Sequence, residues 1–136
     1  ELAKINGARR ALHLNVSAPF HCELMAPAAD EMKKSLAEVR IIRPKVPVVM
    51  NVLAEAVVEP EQIRKLLVEQ IVGMVRWRES VEYMYNKGTE TFYEVGAGKA
   101  LSGMVKRIST GVRIENISAH DDIVNMIERM SNDKTK

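Results

Sequence analysis

From residue 48 to residue 117, short segments rich in β-branched residues alternate with segments whose apolar residues recur at helical spacing. Residues 48–52, 91–95 and 112–117 each have the length and composition of a strand, and helical segments separate them. Strands joined by helices usually pair in parallel, because each helix carries the chain back along the sheet. The sequence therefore predicts an α/β fold with a largely parallel sheet.

Prolines and glycines mark the ends of the helical segments. Pro27 and Pro60 fall in predicted first turns, where a missing N–H group is tolerated. Gly73 and Gly88 follow the last residues of two predicted helices, as C-terminal glycines commonly do. We expect the two proline-initiated helices to bury the stripes Met25, Ala29, Met32, Leu36 and Val39, and Ile63, Leu66, Leu67 and Ile71.

Residues 11–16 alternate between apolar and polar side chains, which indicates one further strand. This strand precedes the α/β region and need not belong to its sheet, so we interpret it as the last strand of a neighbouring subdomain. Because the sequence opens at Glu1 without a methionine and enters structured sequence at once, we expect the chain to be a fragment or a processed piece.

Length and composition fit one small globular domain, since 46% of the 136 residues are apolar and 28% are charged. A formal net charge of +2 gives no indication of a nucleic-acid partner. No apolar run approaches the roughly 18–20 residues that cross a bilayer, so no membrane association is expected. The single cysteine, Cys22, cannot form an internal disulfide, and a reducing cytoplasm is the expected compartment.

Of the three histidines, His21 has the position of a reactive group. It follows a strand in a loop that contains Pro19, and α/β folds place catalytic side chains in such loops. His13 lies among polar residues on a strand face and His120 in the first turn of the last helix, so structural or exposed roles are expected for both. From the residues alone, His21 is either catalytic or structural.

Two further features, Cys22 and the glycine turn at residues 96–98, each have a structural and a chemical interpretation. Cys22 adjoins His21, but adjacent side chains usually point apart, so a buried structural cysteine is preferred over a Cys–His pair. The turn at residues 96–98 (GAG) resembles a phosphate-binding loop, yet Leu101 and Ala100 stand where the dinucleotide and Walker patterns need glycine and Ser or Thr. A tight strand-to-helix turn is the preferred interpretation, and no cofactor or metal is expected.

Gln70 lies in the last turn of its predicted helix, beside the apolar stripe. Either its side chain or its backbone carbonyl, which lacks an intrahelical partner there, could accept a hydrogen bond from a histidine ring. A partly exposed helix-end glutamine is the alternative.

Several segments, in their order along the chain, resemble one protein family. The longest is the histidine loop at residues 16–22 (VSAPFHC), and the others are residues 47–49 (PVV), 51–52 (NV), 67–70 (LVEQ), 75–77 (VRW), 80–81 (SV) and 94–99 (EVGAGK). Together they are similar to the bacterial malonyl-CoA:acyl-carrier-protein transacylases, specifically to the C-terminal portion of those enzymes. The match extends to about residue 108.

This resemblance implies an α/β-hydrolase-like large subdomain into which a ferredoxin-like small subdomain is inserted. On this expectation, residues 1–17 end the small subdomain with its last strand, and residues 18–136 form the returning half of the large one. The family's Gly-His-Ser-x-Gly segment, which carries the serine nucleophile, is absent here. The arginine that grips the malonyl carboxylate and the glutamine of the oxyanion hole also lie upstream in the family. A missing N-terminal half is therefore an implied partner.

The implied activity is transfer of a malonyl group from malonyl-CoA to the phosphopantetheine thiol of acyl carrier protein, through an acyl-serine, in fatty acid biosynthesis. His21 corresponds to the general base, and Gln70 to the residue that orients it. The fragment alone is expected to be inactive. Two alternatives are a truncated, non-catalytic remnant that only docks carrier protein, and a fragment of a polyketide-synthase-type acyltransferase domain.

The resemblance also implies roles in substrate recognition. Phe20 matches a position that faces the acyl pocket in related acyltransferases, so we expect it to favour malonyl over bulkier groups. Two basic pairs match basic positions of the family. Acyl carrier proteins are acidic and CoA carries phosphates, so these pairs are candidate docking residues, with ordinary solvated charge as the alternative. The pairs are Arg9 with Arg10 and Lys106 with Arg107.

Overall fold

The computed structural model describes residues 1–13 and 16–133, with side chains up to residue 129. After the second helix the chain contains two strands, two helices and then alternating strands and helices, which confirms an α/β fold of mixed type. Among the described residues, no helix combines the length and the apolar character needed to cross a bilayer. The elements are α1 (Leu2–Ile5), a 3-10 turn (Glu23–Met25), α2 (Ala26–Ala37), β1 (Val48–Met50), β2 (Glu55–Val57), α3 (Pro60–Glu69), α4 (Trp77–Asn86), β3 (Thr91–Val95), α5 (Ala100–Ile108), β4 (Arg113–Ile117) and α6 (His120–Asp133).

The first pair of strands is antiparallel, which the sequence did not predict. β1 pairs with β2 so that Val48 lies opposite Val57. The chain reverses at residues 51–54, where the Ala54 N–H donates to the Met50 carbonyl at 2.8 Å. Because this turn closes directly behind β1, the strand ends two residues earlier than expected and its next neighbour along the chain returns in the opposite direction.

The second pair of strands is parallel, as predicted. β3 and β4 lie side by side with Thr91 opposite Arg113, and α5 connects them. The turn from β3 into α5 places Gly96 at φ 128° and Gly98 at φ 95°, which residues with a Cβ rarely adopt. The expectation of a largely parallel sheet therefore holds for this pair only, since the described residues form two separate two-stranded sheets.

The main buried cluster joins the β1–β2 hairpin to α3. Met50 and Val57 from the strands meet Ile63 and Leu66 from the helix, and each of these side chains is less than a tenth exposed. Burying an aliphatic side chain of this size contributes about 1.5–3 kcal/mol. The predicted stripe of α3 is thus confirmed at its centre, and the cluster fixes where the C-terminal end of α3 lies.

The other proline-initiated helix, α2, packs on α3 with fewer buried residues than expected. Ala29 is buried, but Met32 is 42% exposed and Val39, which lies beyond the helix, is 49% exposed. The described part of the chain leaves these apolar side chains uncovered.

The amino-terminal segment contains no strand among its described residues. After α1, residues 11–13 and residue 16 are irregular, and residues 14 and 15 of the predicted strand lie outside the described residues. Strand N–H and C=O groups need partners, and no described strand pairs with this segment. The described ends of the expected strand are therefore not extended into a sheet, and its assignment to a ferredoxin-like subdomain stays a prediction.

Candidate functional site

His21 lies in a tight loop directly before the 3-10 turn. Inside this loop, the Phe20 N–H donates to the Ala18 carbonyl at 2.9 Å. His21 itself has φ 59°, in the left-handed region that residues with a side chain seldom occupy. Surrounding contacts must favour such a conformation for it to persist, and functional positions are enriched in it.

The His21 ring reaches the C-terminal end of α3. Its Nδ1 lies 3.1 Å from the backbone oxygen of Gln70 and 3.1 Å from that of Gly73. Carbonyl oxygens only accept hydrogen bonds, so Nδ1 carries the proton and shares it between them. Nε2 of the neutral ring then has a free lone pair, and no group in the described part of the chain hydrogen-bonds to it.

Gln70 contributes its backbone, which is one of the two options that the sequence left open. Its N–H still donates to the Leu66 carbonyl at 3.0 Å, while its own carbonyl projects from the helix end towards His21. The last carbonyls of a helix lack intrahelical partners. The Gln70 carbonyl is therefore free to accept from Nδ1, and the contact orients the ring.

Gly73 is the second acceptor, although its predicted role was only to end a helix. Its N–H donates to the Glu69 carbonyl at 3.0 Å, so the chain turns back at the end of α3. A Cβ on Gly73 would lie 3.1 Å from that same oxygen, which is a tight contact. The sequence indicated that Gly73 ends a helix. It did not indicate the contact between the Gly73 carbonyl and His21, because these residues are distant in the chain.

The loop after Gly73 is fastened to the β1–β2 turn by two side chains that sequence reasoning missed. Asn51 donates from Nδ2 to the Met74 carbonyl at 3.0 Å, and its Oδ1 accepts the Arg76 N–H at 2.8 Å. Arg76 in turn donates from Nη1 to the carbonyls of the two residues after Asn51, at 3.2 and 3.1 Å. The signal in the sequence was a polar residue directly after a buried strand.

The two neighbours of His21 differ in exposure. Cys22 is free and half-buried rather than buried, and its thiol donates to the Pro19 carbonyl at 3.1 Å. The thiol therefore bonds within its own loop and not to the imidazole. Phe20 is 55% exposed. An exposed aromatic ring next to an exposed histidine is available to line a pocket, and its role in acyl selection stays a prediction.

The two basic pairs lie in different parts of the molecule. Arg9 and Arg10 follow α1, and Lys106 and Arg107 lie in the last turn of α5. All four are exposed, and within the described residues no hydrogen bond or ion pair links either pair to the other or to His21. The structure therefore leaves their charges available to a partner without bringing the two pairs together.

The glycine turn holds a carboxylate where a bound anion would otherwise lie. Glu94, in β3, accepts the N–H groups of Leu101 at 3.1 Å and Ser102 at 2.7 Å, and Nδ2 of Asn116 at 3.2 Å. Hydrogen bonding from Ser102, by its side chain first and its N–H second, holds the pKa of the Glu94 carboxyl below its usual value. The Glu94 carboxylate already binds the N–H groups of the first turn of α5, where a phosphate would bind. The geometry therefore supports a structural turn and not a phosphate site.

The arrangement around His21 holds one ring nitrogen with backbone oxygens and leaves the other without a hydrogen bond among the described residues. A histidine nitrogen left free in this way is what general-base chemistry requires. Within residues 1–13 and 16–133, no three His, Cys, Asp or Glu side chains lie close enough to hold a metal ion.

Solved structures define the class of protein. This chain superposes over 96% of its length on 41% of the acyl-carrier-protein-S-malonyltransferase of Bartonella henselae, with a TM-score of 0.88 and 39% identity. It also superposes over 93% of its length on 41% of a malonyl-transacylase solved in complex with its type II PKS acyl-carrier protein, with a TM-score of 0.83 and 37% identity. The described fold is therefore a part of the acyltransferase fold.

Sequence comparison finds relatives of the same kind. The malonyl CoA-acyl carrier protein transacylase of Bacillus subtilis is 45% identical over 121 residues, which are 89% of this chain. No family model matches the chain. The chain is thus homologous to the malonyl CoA-acyl carrier protein transacylases, which confirms the resemblance drawn from its motifs. It spans 38% of the length of that relative.

Proposed function

We propose that this chain supplies the catalytic histidine of a malonyl-CoA:acyl-carrier-protein transacylase. The observation that carries the proposal is the pair of backbone oxygens at Nδ1 of His21, which leaves Nε2 free to accept a proton. Gln70 acts as a positioning residue through its carbonyl. The 45% identity to a protein of that name supports the same assignment.

In the first half-reaction, a serine hydroxyl gives its proton to Nε2 of His21 while its oxygen attacks the thioester carbon of malonyl-CoA. The tetrahedral intermediate collapses, the carbon–sulfur bond breaks, and the imidazolium returns its proton to the CoA thiolate. The products are a malonyl-serine ester and free CoA. Between the two transfers, the helix-end carbonyls at Nδ1 stabilise the positive ring.

The second half-reaction repeats this sequence with another thiol. The phosphopantetheine thiol of acyl carrier protein gives its proton to Nε2 and attacks the ester carbon. The serine oxygen then leaves and recovers that proton from His21. The malonyl group has moved from one thiol to another, and the histidine ends in the state in which it began.

The serine would come from a segment outside these 136 residues, because no Gly-His-Ser-x-Gly sequence occurs in them. Residues 18–136 would be the returning half of an α/β-hydrolase-like subdomain, and residues 1–17 the end of a ferredoxin-like one. Uncovered apolar side chains at the strands support a missing half that completes the sheet, among them Val48, 40% exposed, and Val95, 76% exposed.

Malonyl-CoA and acyl carrier protein are the proposed partners, and fatty acid synthesis in the cytoplasm is the proposed setting. The neighbour that was solved with its acyl-carrier protein supports the second partner. A non-catalytic remnant is less well supported, because the histidine and its acceptors are arranged as a base requires. A polyketide-synthase-type domain fragment is less well supported, because the Bacillus subtilis relative is a malonyl CoA-acyl carrier protein transacylase.

A chimera tests the proposal. This chain is fused behind the amino-terminal part of the Bacillus subtilis relative, in place of the homologous region, and transfer of labelled malonyl from CoA to carrier protein is measured. We expect the chimera to transfer malonyl and the 136-residue chain alone to acquire no covalent label. A folded chimera without activity, or a stable label on the isolated chain, would contradict the proposal.

A further inference from the structure

We infer that Asn51 is a positioning residue for His21, acting through the loop that joins α3 to α4. The inference rests on the proposed function and adds a residue to it. The Asn51 amide bridges the Met74 carbonyl and the Arg76 N–H. The carbonyl of the residue before Met74, Gly73, accepts from the His21 ring.

The loop between α3 and α4 depends on hydrogen bonds because its side chains are not packed in the core. Met74 is 69% exposed and Val75 is 52% exposed, so neither side chain anchors the backbone by packing. Between Gly73 and the start of α4 at Trp77, the Met74 carbonyl and the Arg76 N–H both bond to Asn51, while the Arg76 carbonyl accepts from Ser80 in α4. The position of the Gly73 carbonyl therefore depends on the Asn51 bridge.

Asparagine suits this position because one planar amide offers both a donor and an acceptor. The Asn51 side chain can thus pair with a C=O and an N–H of the same loop, as a neighbouring strand would. Asn51 also directly follows Met50, which is 3% exposed and belongs to the buried cluster. The bridge therefore connects the loop that carries the Gly73 carbonyl to a residue next to the buried cluster.

Arg76 strengthens the same connection from the other side. Its guanidinium donates to two carbonyls in the β1–β2 turn and also contacts Glu79 at 3.2 Å. Arg76 holds the end of the loop, whereas Asn51 also binds the carbonyl of Met74, the residue after Gly73. Asn51 is therefore the residue that we assign to positioning the Gly73 carbonyl.

The test uses Asn51→Ala and the nearly isosteric Asn51→Asp, which keeps the acceptor for the Arg76 N–H and loses the donor to Met74. The first readout is the set of ¹⁵N chemical shifts of the His21 ring in the 136-residue chain, which report which nitrogen carries the proton. The second is the kcat and KM of the chimera for malonyl transfer. Asn86→Ala is the matched control, because Asn86 is exposed at the end of α4 and its side chain has no hydrogen bond among the described residues.

We expect both variants to lose the uniform Nδ1–H form of the ring, with Asn51→Asp affected less. We also expect kcat to fall roughly 10–100-fold for Asn51→Ala, because losing a residue that positions a catalytic group typically costs this much. KM for malonyl-CoA should change little. The control should match the parent in both readouts.

An unchanged tautomer together with kcat within about twofold of the parent overturns the inference, even if thermal stability falls. If Asn51→Ala fails to fold, Asn51→Asp decides on the same criteria. The ring shifts of the 136-residue chain do not depend on catalysis, so altered shifts in its variants would support the positioning role even with an inactive parent chimera. The inactivity of that chimera would refute only the proposed function.

Discussion

Nδ1 of His21 lies 3.1 Å from the backbone oxygen of Gln70, so the ring of a loop residue is oriented by the main chain of a distant helix end. A carbonyl oxygen cannot donate a proton, and this fixes the proton on Nδ1. The side chain of Gln70 is not part of the contact. The geometry therefore assigns separate roles to the ring, to the backbone of residue 70 and to the residues that place that backbone.

The His21 ring is expected to be essential for transfer. His21→Ala in the chimera should lower kcat by about 10²–10⁴-fold, because base catalysis is typically worth this much. Transfer is measured with labelled malonyl-CoA and carrier protein. His120→Ala, an exposed histidine at the start of α6, is the control and should leave the rate unchanged. Near-parental transfer by His21→Ala would refute the assignment of the base.

The Gln70 side chain is expected to be dispensable. Gln70→Ala keeps the carbonyl that accepts from His21, so kcat should stay within about threefold of the parent. Gly73→Ala should be more damaging, because its Cβ would lie 3.1 Å from the Glu69 oxygen and displace the second acceptor. Steady-state kinetics of the chimera distinguish the two. A large loss in Gln70→Ala alone would mean that the amide, and not the carbonyl, orients the ring.

Glu94 is expected to make stability fall at acid pH. Its carboxyl has a lowered pKa in the folded state, so it contributes stability that is complete above the unfolded pKa, about 4.3 for glutamate, and is lost as the pH falls through the folded value. Glu94→Gln should be less stable than the parent at pH 7 and should lose less between pH 7 and pH 3.

Urea unfolding of the 136-residue chain across this pH range measures the Glu94 effect. Glu90→Gln is the matched control, because Glu90 is an exposed glutamate whose side chain makes no hydrogen bond among the described residues. Parallel pH profiles of Glu94→Gln and the parent would show that the carboxylate at the start of α5 does not contribute to folding.

Phe20 is expected to discriminate against bulkier acyl groups. A ring beside the α-carbon would clash with an added methyl, and such steric selection is usually about 1–3 kcal/mol. Phe20→Ala in the chimera should therefore raise the relative kcat/KM for methylmalonyl-CoA, while Phe20→Leu should have a smaller effect. Equal use of malonyl-CoA and methylmalonyl-CoA by the parent chimera would rule this role out.

Lys106 and Arg107 are expected to assist docking of the acidic carrier protein. Exposed charges act mainly on association and its salt dependence. Reversing both to Glu in the chimera should raise KM for carrier protein at low ionic strength, with less effect on malonyl loading from CoA. The same reversal at Lys33 and Lys34, an exposed pair on α2, is the control. A KM for carrier protein that is unchanged at low salt would identify the first pair as solvated surface.

Several local elements could be predicted from residues close together in the chain, and so could the candidate site residue His21. Period-two and helical patterns, with glycines at the turns, gave β3 its observed bounds and α3 its buried stripe. The helix-end position of Gln70 left its contact with a histidine open, and the family resemblance of the histidine loop was needed to pair Gln70 with His21. The bounds of β3 and the stripe of α3 could be predicted because each depends on residues close together in the chain. The histidine loop could be recognised because it belongs to a set of motifs in a distinctive order.

Which atoms of these residues meet depends on packing between distant segments. The choice of the Gln70 carbonyl over its amide, the second contact at Gly73 and the bridge from Asn51 all depend on how α3 is packed against the β1–β2 hairpin. The antiparallel hairpin itself arises from a reversal at residues 51–54, which contain neither glycine nor proline. Hydrogen bonds act over about 3 Å, so a pattern in the sequence cannot specify them until packing has placed distant segments side by side.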